Sequence, residues 1–451
     1  MDRSSLKLIG SIALGNALVP LNSTMIVVAL PFIARESGTD LASASWLITT
    51  YLIAMAALQP IGGRIGDRFG RRRLMLGALV YFGVASIGAA LATSFVLLVL
   101  FRLQQALAAA LIAPNGMGIL RRAAGARAGT FFGLISAISG AAASVGPLLG
   151  GLLVGIDWRW CFLVNVPLVA LAIVLALANV HDDATRPETR FDVAGVVALG
   201  VLLAGTAWVL TTLAHGVDAT TGVLALAVTV GWVVFLRYES GLADPALPPR
   251  LFKIRAFTAA NVAMGGANLS LYATLLAIPA LLASDPATAL LVGGALFALG
   301  SVQIVLGPIT GLLVDRFGAK WPTALGGVLI AIGSFATGAL VGGGPFPLLI
   351  AALMVTGSGV AFTFPSTRVA AVDVVPQTLV ALASGVVQTS RYLAGMIAAI
   401  LAGAILTTLP SDTRAPVLFT IVAGSGVLTA VASLGMPGLA EMKEKVVSEV
   451  A

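Results

Sequence analysis

The sequence predicts an all-α polytopic membrane protein with fourteen transmembrane helices. Three observations predict it. Of 451 residues only 10% are charged and 59% are hydrophobic, whereas an ordinary soluble domain is roughly 25% charged. Stretches free of Asp, Glu, Lys and Arg recur at the length of about 20 residues that a helix needs to cross a bilayer core. The basic residues collect between alternate stretches. A soluble chain this apolar could not cover its own surface with polar groups. Disordered chains are poor in apolar residues, and barrel strands alternate apolar with polar where this chain runs apolar throughout. One cysteine, Cys161, excludes an internal disulfide framework and a thiolate cluster. Two histidines, His181 and His215, leave little for an imidazole site, so neither metal nor cofactor is expected. The net charge of +7 fits basic residues held on one side of a bilayer rather than a nucleic-acid partner.

The spans follow in order along the chain. Residues 8–34 form the first, and no small-residue cleavage site directly follows them, so they read as a retained span. Residues 41–63 form the second. The region 74–120 holds two, broken at Ala92-Thr93-Ser94, with Arg102 the sole charge inside span 4. Then come 128–156, 160–181, 193–217, 219–236, 256–284 and 286–314. The region 321–367 holds two spans broken at Gly342-Gly343-Gly344-Pro345-Phe346-Pro347. The region 374–411 holds one, with Arg391 inside it, and 415–440 is the last. The 51 glycines and 21 prolines suit close-packed, bendable helices in lipid. With the N-terminus in the cytoplasm, Arg35, Arg159 and Arg414 fall outside and Arg102 and Arg391 lie within spans. The remaining 21 of 26 basic residues fall inside, which sets the orientation and puts both termini in the cytoplasm.

The chain also repeats itself. Residues 63–70 and 311–318 share the pattern G-x-x-x-D-R-F-G at an offset of 248, and at that offset Ala29-Leu30-Pro31 matches Ala277-Ile278-Pro279. Two related halves around a central cavity are a transporter architecture. The expected organisation is a six-helix half at 1–190, two inserted helices at 191–240, a second six-helix half at 241–440 and a tail at 441–451.

The motifs carry a family resemblance. Residues 63–73, G-x-x-x-D-R-x-G-R-R-R, resemble motif A of the major facilitator superfamily. Ser-Val-Gly-Pro-Leu-Leu-Gly-Gly at 144–151 resembles its motif C, and Phe101-Arg102-Leu103-Gln104-Gln105 resembles motif B. Residues 21–31, the Trp158–Pro167 string and Arg250–Phe257 resemble the fourteen-span drug:proton antiporter branch. The resemblance implies the major facilitator fold, two six-helix halves plus two linker helices. It implies no enzyme activity. It further implies a monomer in a bacterial inner membrane that exports a small drug, antibiotic or metabolite by alternating access in exchange for protons. Gly63, Asp67, Arg68, Gly70 and Arg71, with Asp315, Arg316 and Gly318 as second-half counterparts, would form a cytoplasmic gate. Gly146, Pro147, Gly150 and Gly151 would form an antiporter hinge.

Each motif has a physical reading beside the resemblance. Asp67 can pair with Arg71, Gly63 permits close helix approach, and Gly70 can turn the chain at positive φ; the alternative is a plain topology anchor. Pro147 kinks its helix and the glycines around it admit a neighbour, or they are generic packing. Arg102, with Gln105 one turn on, matches the family's proton-transfer arginine, or it snorkels to the interface. Arg391, with Gln388 three residues before it, binds substrate or an anion, or it bonds a neighbouring helix. Asn261 and Asn268 share a face of span 9 and with Asn22 would line a cavity; singly they could equally be interhelical partners.

One departure matters. The branch usually carries Asp at position 22, and all 19 acidic residues here fall in loops, tails or span ends. An amide cannot titrate, so Asp67, Asp315 and Asp373 are the remaining titratable candidates. Two arginines with no mid-membrane carboxylate predict an electropositive cavity that favours neutral or anionic compounds. An uncoupled facilitator or importer of such a metabolite is the alternative function.

Overall fold

This computed structural model describes residues 3–124, 128–180, 192–215, 219–242, 245, 249–375 and 380–438. The tail at 441–451 lies outside them, as do His181, Asp182, Asp183, Glu188 and Asp244. Among the described residues there are thirteen helices long and apolar enough to cross a membrane, and a shorter apolar one at Ile138–Val154. Each of the fourteen expected spans thus has its helix.

The helices are α1 (Arg3–Ser37), α2 (Leu41–Ala44), α3 (Trp46–Phe69), α4 (Arg71–Ala90), α5 (Phe95–Ala124), α6 (Ala128–Val154), α7 (Trp160–Leu163) and α8 (Asn165–Asn179). They continue as α9 (Val193–His215), α10 (Ala219–Gly241), α11 (Arg255–Leu282), α12 (Pro286–Phe317), α13 (Lys320–Leu340), α14 (Phe346–Asp373), α15 (Val380–Thr408) and α16 (Arg414–Ala432). The breaks expected at 92–94 and 342–347 separate α4 from α5 and α13 from α14. Helix ends differ from the apolar limits. α3 runs on to Phe69 and α14 to Asp373, because backbone hydrogen bonding continues after the apolar band ends and charged side chains there reach water. Asp67, Arg68 and Arg368 are therefore helical residues.

The surface is inverted relative to a soluble protein. On α4, Val80, Val84 and Ile87 are exposed, as is Leu91 just after it, and on α13 Trp321, Leu325, Val328, Ile332 and Phe335 are exposed. That spacing of three and four residues is one helix face, an apolar face of the kind lipid covers. An apolar groove of about 400 Å³ between α13 and α16, lined by residues such as Val328 and Val431, continues it.

The chain forms two compact units, Met1–Ala204 with Ala283–Phe297, and Gly205–Leu282 with Ala298–Ala451. In the first, α1 packs on α6 and α8, while α5 takes α3 and α4. In the second, α13 packs on α14 and α16, and α11 on α14, α15 and α16. Small residues make these approaches possible. A Cβ on Gly326 of α13 would lie 2.6 Å from the Gly359 carbonyl oxygen of α14, and one on Gly327 would lie 2.7 Å from that of Gly426 on α16. Only glycine lets three backbones meet there.

Candidate functional site

Four polar assemblies stand out within the two units. The first surrounds the turn between α3 and α4. Gly70 has φ 96°, which favours glycine, and its N–H donates to the Gly66 carbonyl at 2.8 Å. The turn brings Arg71 back onto α3, where its Nε donates to Asp67 Oδ1 at 2.9 Å. The Arg71 head group lies on Gly118 of α5, where a Cβ would come within 1.0 Å of Nη1. One turn along α3, Gly66 abuts the Asn115 side chain, and Asn115 Nδ2 donates to the Gly62 carbonyl at 3.0 Å. Close approach is therefore made at Gly62 and Gly66. At Gly63, where it was expected, the nearest outside atom to a Cβ would be Pro114 Cβ at 3.9 Å, ordinary contact.

The second copy of the pattern repeats the turn but not the pairing. Gly318 has φ 76°, and its N–H donates to Val314 O at 2.8 Å. Arg68 stands over Phe69 and Arg316 over Phe317, at 5.5 and 5.4 Å. Asp315 and Arg316 are exposed, and the residue four beyond Asp315 is Ala319 in place of an arginine.

The second assembly centres on Arg102, which is 0% exposed. Its Nε donates to Leu47 O on α3 at 3.3 Å and its Nη1 to Gln105 Oε1 at 3.0 Å. Gln105 Nε2 donates to Ser86 Oγ on α4 at 2.8 Å, and that hydroxyl donates to Phe82 O. The guanidinium also stands 4.4 Å over the Tyr51 ring. The charge is solvated by two helices and an aromatic face, and the head group does not snorkel to the surface.

The third lies between α1 and its neighbours. Asn22 is 1% exposed and Asn165 0%, and Asn165 Nδ2 donates to Asn22 Oδ1 at 3.1 Å. Asn22 Nδ2 and Asn165 Oδ1 are buried with no hydrogen-bond partner among the described residues. Asn165 stands in the Trp158–Pro167 string but was not singled out among the sequence candidates. Nearby, Thr24 Oγ1 donates to Ala143 O at 3.0 Å. Gly146 lies against Thr24 and Gly150 against the Met25 carbonyl. Gly151 faces the Ala289 carbonyl of α12, and Gly293 in turn faces that of Pro147; a Cβ at either glycine would be 2.5 Å from the oxygen. The Gly-Pro-x-x-Gly-Gly string is thus a surface on which two neighbours approach α6.

The fourth joins α11, α14 and α15. Arg391 Nε donates to Asn268 Oδ1 at 3.2 Å, and Asn268 Nδ2 donates to the Arg391 carbonyl at 2.6 Å. The guanidinium stands 5.1 Å over Phe364. Ser390 Oγ donates to Asn261 Oδ1 at 2.9 Å, so both asparagines bond α15. Gln388 Oε1 is buried with no partner among the described residues.

Acidic residues at the helix ends do structural work. Glu36 accepts from Trp158 Nε1 and from Arg159 Nη2, and Arg35 donates to Ser284 O at 2.6 Å. Asp285 caps α12, accepting from the Ala287 and Thr288 amides. The Thr288 amide, then the Ser284 hydroxyl, hold its carboxyl below the usual range. Glu239, expected at a span end, is buried in the last turn of α10. Among the described residues no group of three or more His, Cys, Asp or Glu could hold a metal.

Residues 12–266 and 256–445 match the profile of the Major Facilitator Superfamily. The chain belongs to that superfamily. A relative from Bacillus subtilis (strain 168), the "Uncharacterized MFS-type transporter YvkA", is 32% identical over 90% of this chain and 91% of its own length. The "Tetracenomycin C resistance and export protein" of Streptomyces glaucescens is 29% identical over 89% of this chain and 76% of its own. A crystal structure of a POT family transporter in complex with 5-aminolevulinic acid has the same fold. Its TM-score is 0.70 at 15% identity, covering 94% of this chain and 96% of that one. This major facilitator is a multi-pass membrane transporter of a small molecule and not an enzyme.

Proposed function

We propose that the protein exports a small organic compound, a drug, antibiotic or metabolite, from the cytoplasm of a bacterial cell by alternating access. One observation carries the reading. The glycines of the 144–151 string seat α6 against α1 and the start of α12 at backbone contact, and the resemblance ties that string to exporters. The relative named for tetracenomycin C export supports it. The Arg71 slot on Gly118 is the cytoplasmic gate of this reading, Arg102 and Gln105 its internal polar relay, and the protein acts as a monomer. Expression in antibiotic-sensitive cells should lower accumulation of at least one exported compound. Substrate-dependent efflux from proteoliposomes should depend on the purified protein. No flux with any compound to which the cells gain resistance would sink the reading.

In this reading both termini lie on the cytoplasmic side of the inner membrane. Cys161 is buried, so added cysteines can report orientation. Ser94→Cys should react with a membrane-impermeant maleimide in intact cells. Ser240→Cys should react only after permeabilisation, and the reverse pattern inverts the topology.

The buried Asn22–Asn165 pair favours a second reading, an uncoupled facilitator or importer of a neutral or anionic metabolite. Flux measured with and without a pH gradient separates the two. Indifference to the gradient supports the uncoupled reading. In that case Asn22→Asp should introduce pH dependence, because it places a titratable group beside the Asn165 amide.

A further inference from the structure

Arg368 occupies α14 one turn beyond Phe364, on the same helix face. Helical side chains lean toward the helix N-terminus, here toward Phe364. The Arg391 guanidinium, from α15, stands over that same ring at 5.1 Å. Phe364 is thus the shared landmark, Arg391 over its ring and Arg368 one turn along its helix, and the two like charges act on each other. Arg368 is exposed, so a solute can reach it. Among the described residues neither arginine forms an ion pair with a carboxylate. Asn268 fixes Arg391 through Nε alone, and no acceptor among the described residues bonds its Nη nitrogens. Gln388, three residues before Arg391 on the same face, holds a buried oxygen with no partner.

Two adjacent guanidinium groups without a counter-charge repel each other, and the repulsion is relieved by an anion between them. Planar guanidinium forks match carboxylate, sulfonate and phosphate oxygens. By helix rise, Arg368 stands about 8 Å from the end of α14 and Arg391 about 16 Å from the start of α15, so the charges form two steps inward from one end of the unit. We propose that Arg368 and Arg391 bind the anionic group of the transported compound, a carboxylate, sulfonate or phosphate ester. Phe364 gives the site an apolar floor, and Gln388 Oε1 takes a hydroxyl or N–H beside the anion. The inference rests on the export reading and names the substrate class for it.

The test is binding of two dyes on one ring skeleton, dianionic fluorescein and cationic rhodamine 6G, to the full-length protein in nanodiscs of zwitterionic lipid. Fluorescein should bind saturably and rhodamine 6G more weakly. Arg368→Gln and Arg391→Gln should each weaken fluorescein by about tenfold to a hundredfold, the range for a lost charged hydrogen bond. Arg368→Lys and Arg391→Lys, which keep the charge and guard against misfolding, should recover part of that loss. Arg237→Gln, an exposed site elsewhere in the unit, should change nothing. Equal or better binding of rhodamine 6G, no saturable fluorescein binding, or indifference to both glutamine variants overturns the proposal. Loss of fluorescein binding in discs containing phosphatidylglycerol would assign the arginines to a lipid headgroup and also overturn it. Binding is read without flux. Arginine-dependent binding without efflux removes the export reading alone, whereas efflux indifferent to the arginines removes the anion site alone.

Discussion

A methyl group decides where Arg71 can lie. Its guanidinium rests on the bare α-carbon of Gly118 while Nε reaches Asp67. Gly118→Ala would force the flexible end of the arginine aside without moving a backbone. The variant should stay monodisperse and melt near wild type, yet lose transport to the level of Arg71→Ala. Flux beside a melting curve checks both halves of that outcome. The identity of Arg71 and Asp67 was legible in the sequence, because a charge pair beside a turn glycine is a short-range pattern. Gly118 was not, since nothing local marks a glycine so far along the chain, on another helix, as the floor of the slot. Arg102 shows the same limit. Its depth from the helix start allowed either burial or snorkelling, and the choice lies in Leu47, Tyr51 and Ser86 on other helices. Asn165 escaped for a related reason: its partner Asn22 is far away in sequence.

Element boundaries obey different physics from element existence. The apolar stretches announced every span because bilayer thickness sets their length. Where helices stop depends on caps and turn glycines, as at Gly70, Gly318 and Asp285. Asp285 gives a test. Its carboxyl is held low by the Thr288 amide and the Ser284 hydroxyl, so its stabilisation is present above the ordinary carboxylate range. It is lost as pH falls through the lowered folded value. Asp285→Ala should lower Tm at neutral pH, and the gap from wild type should close on acidification. Melting curves across acid pH read the effect directly; a gap that stays constant down to low pH would rule out the cap.

At the scale of the whole molecule, the repeat at offset 248 was visible in the sequence, and the backbone repeats with it. Both turn glycines take positive φ, and both arginines stack on the next phenylalanine. What the repeat could not convey is its broken symmetry. Arg71 has no counterpart at Ala319, and Asp315 is exposed. Asp67→Ala should therefore cost transport severalfold more than Asp315→Ala, measured as flux at matched protein levels. Equal losses would mean that the second copy works through contacts of its own.

The Asn22–Asn165 pair also has an electrical consequence. A unit charge crossing a membrane potential exchanges about 2.3 kcal/mol per 100 mV with the field. Two neutral amides exchange none. The pair therefore adds nothing to the voltage dependence of the transport cycle, which must come from charged side chains elsewhere or from the cargo.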